Sequence, residues 1–269
     1  MIVILAMALL FSRGTLAAEL QPETVRAWVR YIQLTESRIK GELDSDDKFL
    51  ARESLPISDA TKARESVLSG GIFMHRMETR NEEGKTIEIP KGMVHHWLGG
   101  VLIRGAEIDE VLEWFQDYSD LKNHFKQVED SRLISRDGDV LQVFLRVVGR
   151  SIRTVHFNTE HTVEYRQNGP GRASSKSVAT KIAQLEKPGT PKERERPLGD
   201  DSGYMWRWNS YWRFKQAPEG VILECESISL SRTIPAIFLW LVKPLVTKVP
   251  REALKSTLTS VREAFASSS

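Results

Sequence analysis

From residue 92 the chain alternates strand and turn almost without pause, and this run limits its fold more than any other feature. Residues 93–104, 128–135, 140–148, 153–167, 173–186, 204–216 and 221–232 have the β-branched and aromatic content of strands. Short turns join most of them: Arg136-Asp137-Gly138-Asp139, Gly169-Pro170-Gly171 and Pro218-Glu219-Gly220. Strands joined by turns this short run antiparallel. Within 93–104, Gly99-Gly100 is expected to form a bulge. Two segments interrupt the series. Residues 106–118 read as a helix with Ile108, Val111, Leu112 and Phe115 on one face. Residues 187–203 are rich in proline, glycine and charge and read as a mobile loop inside a long hairpin, with the sign-alternating run 192–196 at its solvated tip. A helix from Pro235 to about Phe265 closes the chain, with kinks expected at Pro244 and Pro250. An antiparallel sheet must bury one face, and one long helix is available to cover it. The expected class is α+β: about seven antiparallel strands wrapped on a long C-terminal helix.

The residues before 92 follow a different rhythm. Residues 22–40 read as an amphipathic helix that opens on Pro22, with Val25, Trp28, Val29, Ile32 and Ile39 sharing a face. A second helix is expected over 58–68, stopped by Gly70-Gly71. Residues 72–80 and 85–89 look like a hairpin. Residues 1–11 are apolar and too few to span a bilayer, and small residues follow at 15–18, the pattern of a secretory signal peptide. The expected organisation is a leader over 1–18, a helix-and-hairpin extension over 19–91, and the main domain over 92–269. The leader implies a secreted or periplasmic protein.

Composition removes several functions. Thirty-eight basic residues against 36 acidic ones give a net charge of +2, too even a balance for a nucleic-acid-binding field. The single cysteine cannot form an intrachain disulfide or a multi-cysteine metal site. His95 and His96 are adjacent in a strand and face opposite ways, as do His156 and His161, so no histidine metal set assembles. No nucleotide-binding or nucleophile-elbow motif is present, and no cofactor is implied.

The strand over 204–216 is the most informative segment. Alternation puts Trp206, Trp208, Ser210, Trp212 and Phe214 on one face and Arg207, Asn209, Tyr211 and Arg213 on the other. The next strand divides likewise, with Cys225 and Ser227 against Glu224 and Glu226. A hairpin turning about Ala217-Pro218 would set Tyr211 opposite Glu224 and Asn209 opposite Glu226. The candidate ligand-binding residues are therefore Trp206, Trp208, Asn209, Tyr211, Trp212, Arg213, Glu224 and Glu226. The tryptophan row suits an apolar ligand wall, and the Arg/Asn/Tyr/Glu row suits a polar head group or an acid–base pair. Both rows also have plainer uses, as helix-covered core and as a face of cross-strand ion pairs. Glu224 and Glu226 stand roughly 7 Å apart by strand geometry.

The order of strand, helix, hairpins and terminal helix resembles the START-like superfamily, also called helix-grip or SRPBCC, over residues 92–266. The stretches 95–97 (His-His-Trp), 206–214 (Trp-Arg-Trp-Asn-Ser-Tyr-Trp-Arg-Phe) and 224–230 (Glu-Cys-Glu-Ser-Ile-Ser-Leu) resemble an uncharacterised bacterial group of that superfamily. The resemblance implies a cavity between sheet and C-terminal helix that holds a hydrophobic small molecule such as a lipid, quinone or polyketide, without a cofactor. The alternative it implies is a cyclase/aromatase- or hydrolase-type enzyme using Glu224, Glu226, Tyr211 and Arg213 in that cavity. The apolar stretch from Ile234 to Val249 reads first as helix clamped on the sheet and second as a surface for transient membrane contact.

Overall fold

The computed structural model describes residues 20–150, 154–197, 201–233 and 236–266, with side chains in the last segment from residue 248 onward. The expected leader, residues 1–18, lies outside the described residues, as do the side chains of most of the 234–249 run. Helix α1 spans Pro22–Leu43 and is followed by a 3₁₀ turn, Ala51–Ser54, and by α2, Ile57–Leu68. Strands β1 (Phe73–Arg76) and β2 (Gly92–Arg104) come next, then α3 (Ile108–Gln116) and the one-turn α4 (Leu121–His124). Strands β3 (Val128–Asp137), β4 (Val140–Arg150), β5 (Thr154–Gln167) and β6 (Arg172–Glu186) follow as a meander. The two-residue β7 (Arg194–Glu195), β8 (Arg207–Ala217), β9 (Gly220–Arg232) and α5 (Ala236–Ala266) complete the chain.

The strands form one antiparallel sheet in the order β1-β2-β9-β8-β6-β5-β4-β3, with β7 paired to β6. The strand β1 pairs with β2, so the expected hairpin between 72–80 and 85–89 is replaced: residues 80 and 86 share only an isolated bridge. The expected bulge at Gly99-Gly100 is also absent, because β2 stays in register with both neighbours there. These glycines serve close approach instead. A Cβ on Gly99 would stand 2.5 Å from the Leu258 side chain, so at this point α5 lies against bare β2 backbone.

The α5 side of the sheet holds the largest core. Val101, Ile103, Leu141, Val143, Phe214, Val221 and Leu223 meet Val111, Leu112 and Phe115 of α3 and Leu254, Leu258 and Val261 of α5. Cys225 is buried in this core. The opposite side is covered by α1, the 3₁₀ turn and α2. The buried stripe of α1 is Thr24, Trp28, Tyr31, Thr35, Ile39 and Glu42, spaced by three and four. It differs from the expected apolar stripe, and Val29 is left 45% exposed. The cause is the surface it meets: the sheet offers polar partners on this side, so hydroxyls and a carboxylate turn inward. The 192–196 run likewise does more than expected of a solvated tip. It folds back as β7, with Lys181 bonded to Glu195 at 2.9 Å and Arg196 to Glu186 at 3.0 Å.

Candidate functional site

The alternation of β8 and β9 separates the candidate residues onto two faces. The hairpin turns at Pro218-Glu219, with Ala217 opposite Gly220. Tyr211 therefore faces Glu226 and Arg213 faces Glu224, a shift of two residues from the expected pairing. Because the side-chain period is two, that shift preserves the faces. Gly220 fixes the turn: its φ is +135°, and a Cβ there would collide with the Ile103 carbonyl oxygen. Trp206 does not join the tryptophan row. It precedes β8, packs with Trp28, Tyr31 and Tyr211, and its indole donates to Asp201 at 3.3 Å.

On the extension side, six charged groups are gathered under α1 and the 3₁₀ turn. Glu226 accepts from the His96 Nε2 side at 2.6 Å and from Arg38, and it lies 3.8 Å from Arg213. Arg213 donates to Glu42 at 2.6 Å and to the Phe49 carbonyl at 3.0 Å. Glu224 takes the Arg52 backbone N–H at 3.4 Å, with the Arg52 guanidinium at the same distance. Tyr31 bridges His96 and the Thr79 amide, and Tyr211 donates to Glu36 at 2.8 Å. Arg38, Arg52 and Arg213 balance Glu42, Glu224 and Glu226, so the buried cluster is near neutrality. Burial raises Glu224 to about 7 against the pull of Arg52 and Arg213. Burial also pushes Glu226 upward, but the His96 bond and the Arg38 and Arg213 charges win and hold it at about 2. Glu224, Glu226 and Arg213 are each 1% exposed, so this face is sealed by the chain's own N-terminal residues. It is a cross-linked ionic seam between the extension and the sheet.

The α5 side carries Trp208 and Trp212. Trp212 meets Phe115 edge-on at 4.9 Å and belongs to the aliphatic core. Trp208 lies farther along the strand, where the sheet changes character. Its indole donates to Ser227 at 3.3 Å and its ring meets the His161 ring edge-on at 5.1 Å. His161 also contacts Thr159 at 3.0 Å and Ser177 at 3.2 Å. Ser210 sits opposite Ser177 on one side and Ser227 on the other. His95 bonds Ser231 at 2.9 Å. Burial lowers His95 and His161 to about 4, so both rings are neutral at neutral pH. By register, the charged strand residues on this side are Arg76 of β1 and Arg136 of β3, on the two edge strands, and Glu186 at the end of β6; β2, β4, β5, β8 and β9 place none there. Sequence reasoning missed His95, Thr159, His161, Ser177, Ser210 and Ser227 as a group. The signal was present as period-two rows of small and uncharged polar residues beside a tryptophan.

A cavity of about 700 Å³ opens elsewhere, beside α3 and α4, lined by Trp114, Asp117, His124 and Arg136 among others. Neither Trp208 nor Trp212 lines it. Among the described residues no group of His, Cys, Asp or Glu is arranged to hold a metal, and no helix is long and apolar enough to cross a membrane.

The antiparallel sheet with α3 and the long α5 on one side is the helix-grip architecture. Solved structures that the chain resembles include a STAR-related lipid transfer protein from Xanthomonas axonopodis, at 15% identity over 71% of this chain and 98% of that one, with a TM-score of 0.46. Others are the Zhui aromatase/cyclase from a Streptomyces species (15% identity, 65% and 94% covered, TM-score 0.39) and a START superfamily protein from Mycobacterium smegmatis (10% identity, 66% and 99% covered, TM-score 0.39). No protein-family model and no curated protein matches the sequence.

Proposed function

We propose that this chain is an exported helix-grip protein that binds and carries a hydrophobic small molecule between the α5 side of the sheet and the N-terminal half of α5. The observation that carries this reading is the uncharged stretch of sheet around Trp208, where serines, Thr159 and neutral histidines replace the aliphatic residues that fill the rest of that side. A wall of aromatic and uncharged polar groups suits a mostly apolar ligand with a few placed hydrogen bonds. Trp208 and Trp212 are the candidate residues that belong to this side. Asn209, Tyr211, Arg213, Glu224 and Glu226 support the fold from the other. The leader-like residues 1–18 support export, and the apolar 234–249 run offers the ligand a route from a membrane. The sheet itself stands between the Glu224–Glu226 seam and α5, so those residues do not share the proposed site with Trp208 and Trp212. Native mass spectrometry of the protein purified without detergent tests the proposal. A co-purifying lipid-like mass that Trp208→Ala releases is expected. Protein that stays empty, and takes up none of a lipid, quinone and sterol panel, would overturn it.

A further inference from the structure

The hydrogen bonds around His161 fix which way each hydroxyl points. Thr159 Oγ1 donates to the Leu145 carbonyl at 3.1 Å, so its only proton is used. Towards His161 Nε2, 3.0 Å away, Thr159 can then only accept. The proton of the neutral imidazole is therefore on Nε2, and Nδ1 is an acceptor. Ser177, 3.2 Å from Nδ1, must donate to it. That leaves Ser177 Oγ with lone pairs and no proton to offer. Thr159 is fully buried and His161 is 3% exposed, so neither can turn to water for relief. Ser177 is less enclosed and stands in the same row as Ser210 and Ser227 on the α5 side.

From this relay we infer that the ligand carries an uncharged hydrogen-bond donor, a hydroxyl group, which Ser177 accepts while His161 and Thr159 hold the serine in its accepting orientation. The inference rests on the carrier reading above and narrows it to one ligand class. A ketone or ester in the same place would need the Ser177 proton, and taking it would strand Nδ1 unpaired in a buried site. A carboxylate or sulfate would find no cation on β5, β6, β8 or β9 around Ser177, because the strand arginines on this side, Arg76 and Arg136, stand on the edge strands β1 and β3. Two cations are seen on that side at a distance: Arg136 of β3, bonded to Gln116 and three strands from Ser177 in register, and Arg251 of α5, which lies over Trp97, 6.0 Å from the ring centre, and is paired with Glu252. Trp97 and Ser177 are separated by three strand spacings, on the order of 14 Å. His161 and Thr159 are positioning residues here, and Ser177 is the contact.

The test uses matched ligands on three skeletons, read by tryptophan quenching and native mass spectrometry on the full-length protein. The sets are cholesterol, cholestanone and cholesterol sulfate; retinol, retinal and retinoic acid; and hexadecanol, hexadecanal and palmitate. On whichever skeleton binds, the alcohol is expected to bind roughly three- to tenfold more tightly than the carbonyl compound, and more tightly still than the anion, as one hydrogen bond made or stranded would give. Ser177→Ala should remove the preference for the alcohol while leaving affinity for the carbonyl compound within about twofold. Thr159→Val should weaken the same preference, because Nε2 loses its acceptor and the tautomer is freed. If the carbonyl compound or the anion binds as well as the alcohol, or if Ser177→Ala keeps the preference, the inference fails and the carrier reading survives. If nothing binds on any skeleton, the carrier reading fails and takes the inference with it.

Discussion

The two sides of this sheet bury polar groups by opposite means. On the extension side, full charges are removed from water and neutralised by one another, three guanidinium groups against three carboxylates, with α1 and the 3₁₀ turn closing over them. On the α5 side the strands keep their charges to the margins, Arg76 on β1, Arg136 on β3 and Glu186 at the end of β6, and between them hydroxyls and neutral imidazoles satisfy each other. A closed ionic seam is strong only while it is complete, because a removed partner leaves an uncompensated buried charge. An uncharged hydroxyl row tolerates exchange of one partner for another, which is what a ligand wall requires. On the proposed function, the first side stays shut and the second accepts the ligand.

The sharpest way to break this contrast is to open the seam. Arg213→Leu leaves Glu42 and the Glu224–Glu226 pair without their shared cation and should cost about 3–5 kcal/mol in urea unfolding. A loss below about 1 kcal/mol would mean that water reaches the cluster. Within the seam, Glu226→Gln should cost more than Glu224→Gln when both are measured near pH 8. Glu226 is held ionised by His96 and two arginines, whereas burial works against the Glu224 charge. Equal losses would contradict that asymmetry.

On the other side, Gly99→Ala puts a methyl into Leu258 and should cost about 1–3 kcal/mol by overpacking. Thermal unfolding at matched pH checks it, and an unchanged midpoint would show that α5 can move off β2.

Between pH 5 and 7 the two sides also titrate in opposite directions. His95 and His161 have folded pKa values near 4, below the ordinary value of 6.5. Their contribution is complete above pH 6.5 and is lost as pH falls from there towards 4. Glu224 is raised from 4.5 to about 7, so its contribution is lost as pH rises from 4.5 to 7 and regained on acidification. Two groups oppose one, and lowering the pH from 7 to 5 should cost about 1–2 kcal/mol net. His161→Asn should remove most of that loss. A variant as acid-sensitive as the parent would remove His161 from the account.

Smaller still is the contrast between neighbouring tryptophans. Trp208→Ala should weaken ligand quenching several-fold, and Trp206→Ala should leave the ligand affinity within about twofold, because Trp206 packs against α1. The reverse order would exchange the roles of the two sides.

Much of this division can be read from the sequence, because a strand's alternation survives errors that registers do not. The β8–β9 pairing is two residues from the one that a turn at Ala217-Pro218 suggests, yet every side chain of both strands keeps its face. Trp206 escapes the rule because the strand begins at Arg207 and Asp201 captures its indole. The covering role of residues 20–91 is harder to read. Glu42 and Arg52 look like solvated charges until Arg213, Glu224 and Glu226 are seen to need partners 160 residues and more away in the chain. The His161 relay is hidden for a different reason. The β5–β6 register shift after Glu160 sets His161 beside Ala179 and within reach of Ser177, and irregular pairing of that kind has no signature in residue spacing.

Hydrogen exchange with and without bound ligand tests the division of labour most directly. The amides of α5 and of β5, β6 and β8 around Thr159, Ser177 and Trp208 should gain protection when ligand binds, while α1 and the 3₁₀ turn over Glu224 exchange as before. Protection confined to α1 and the 3₁₀ turn, with α5 unchanged, would place the ligand on the extension side and contradict the account.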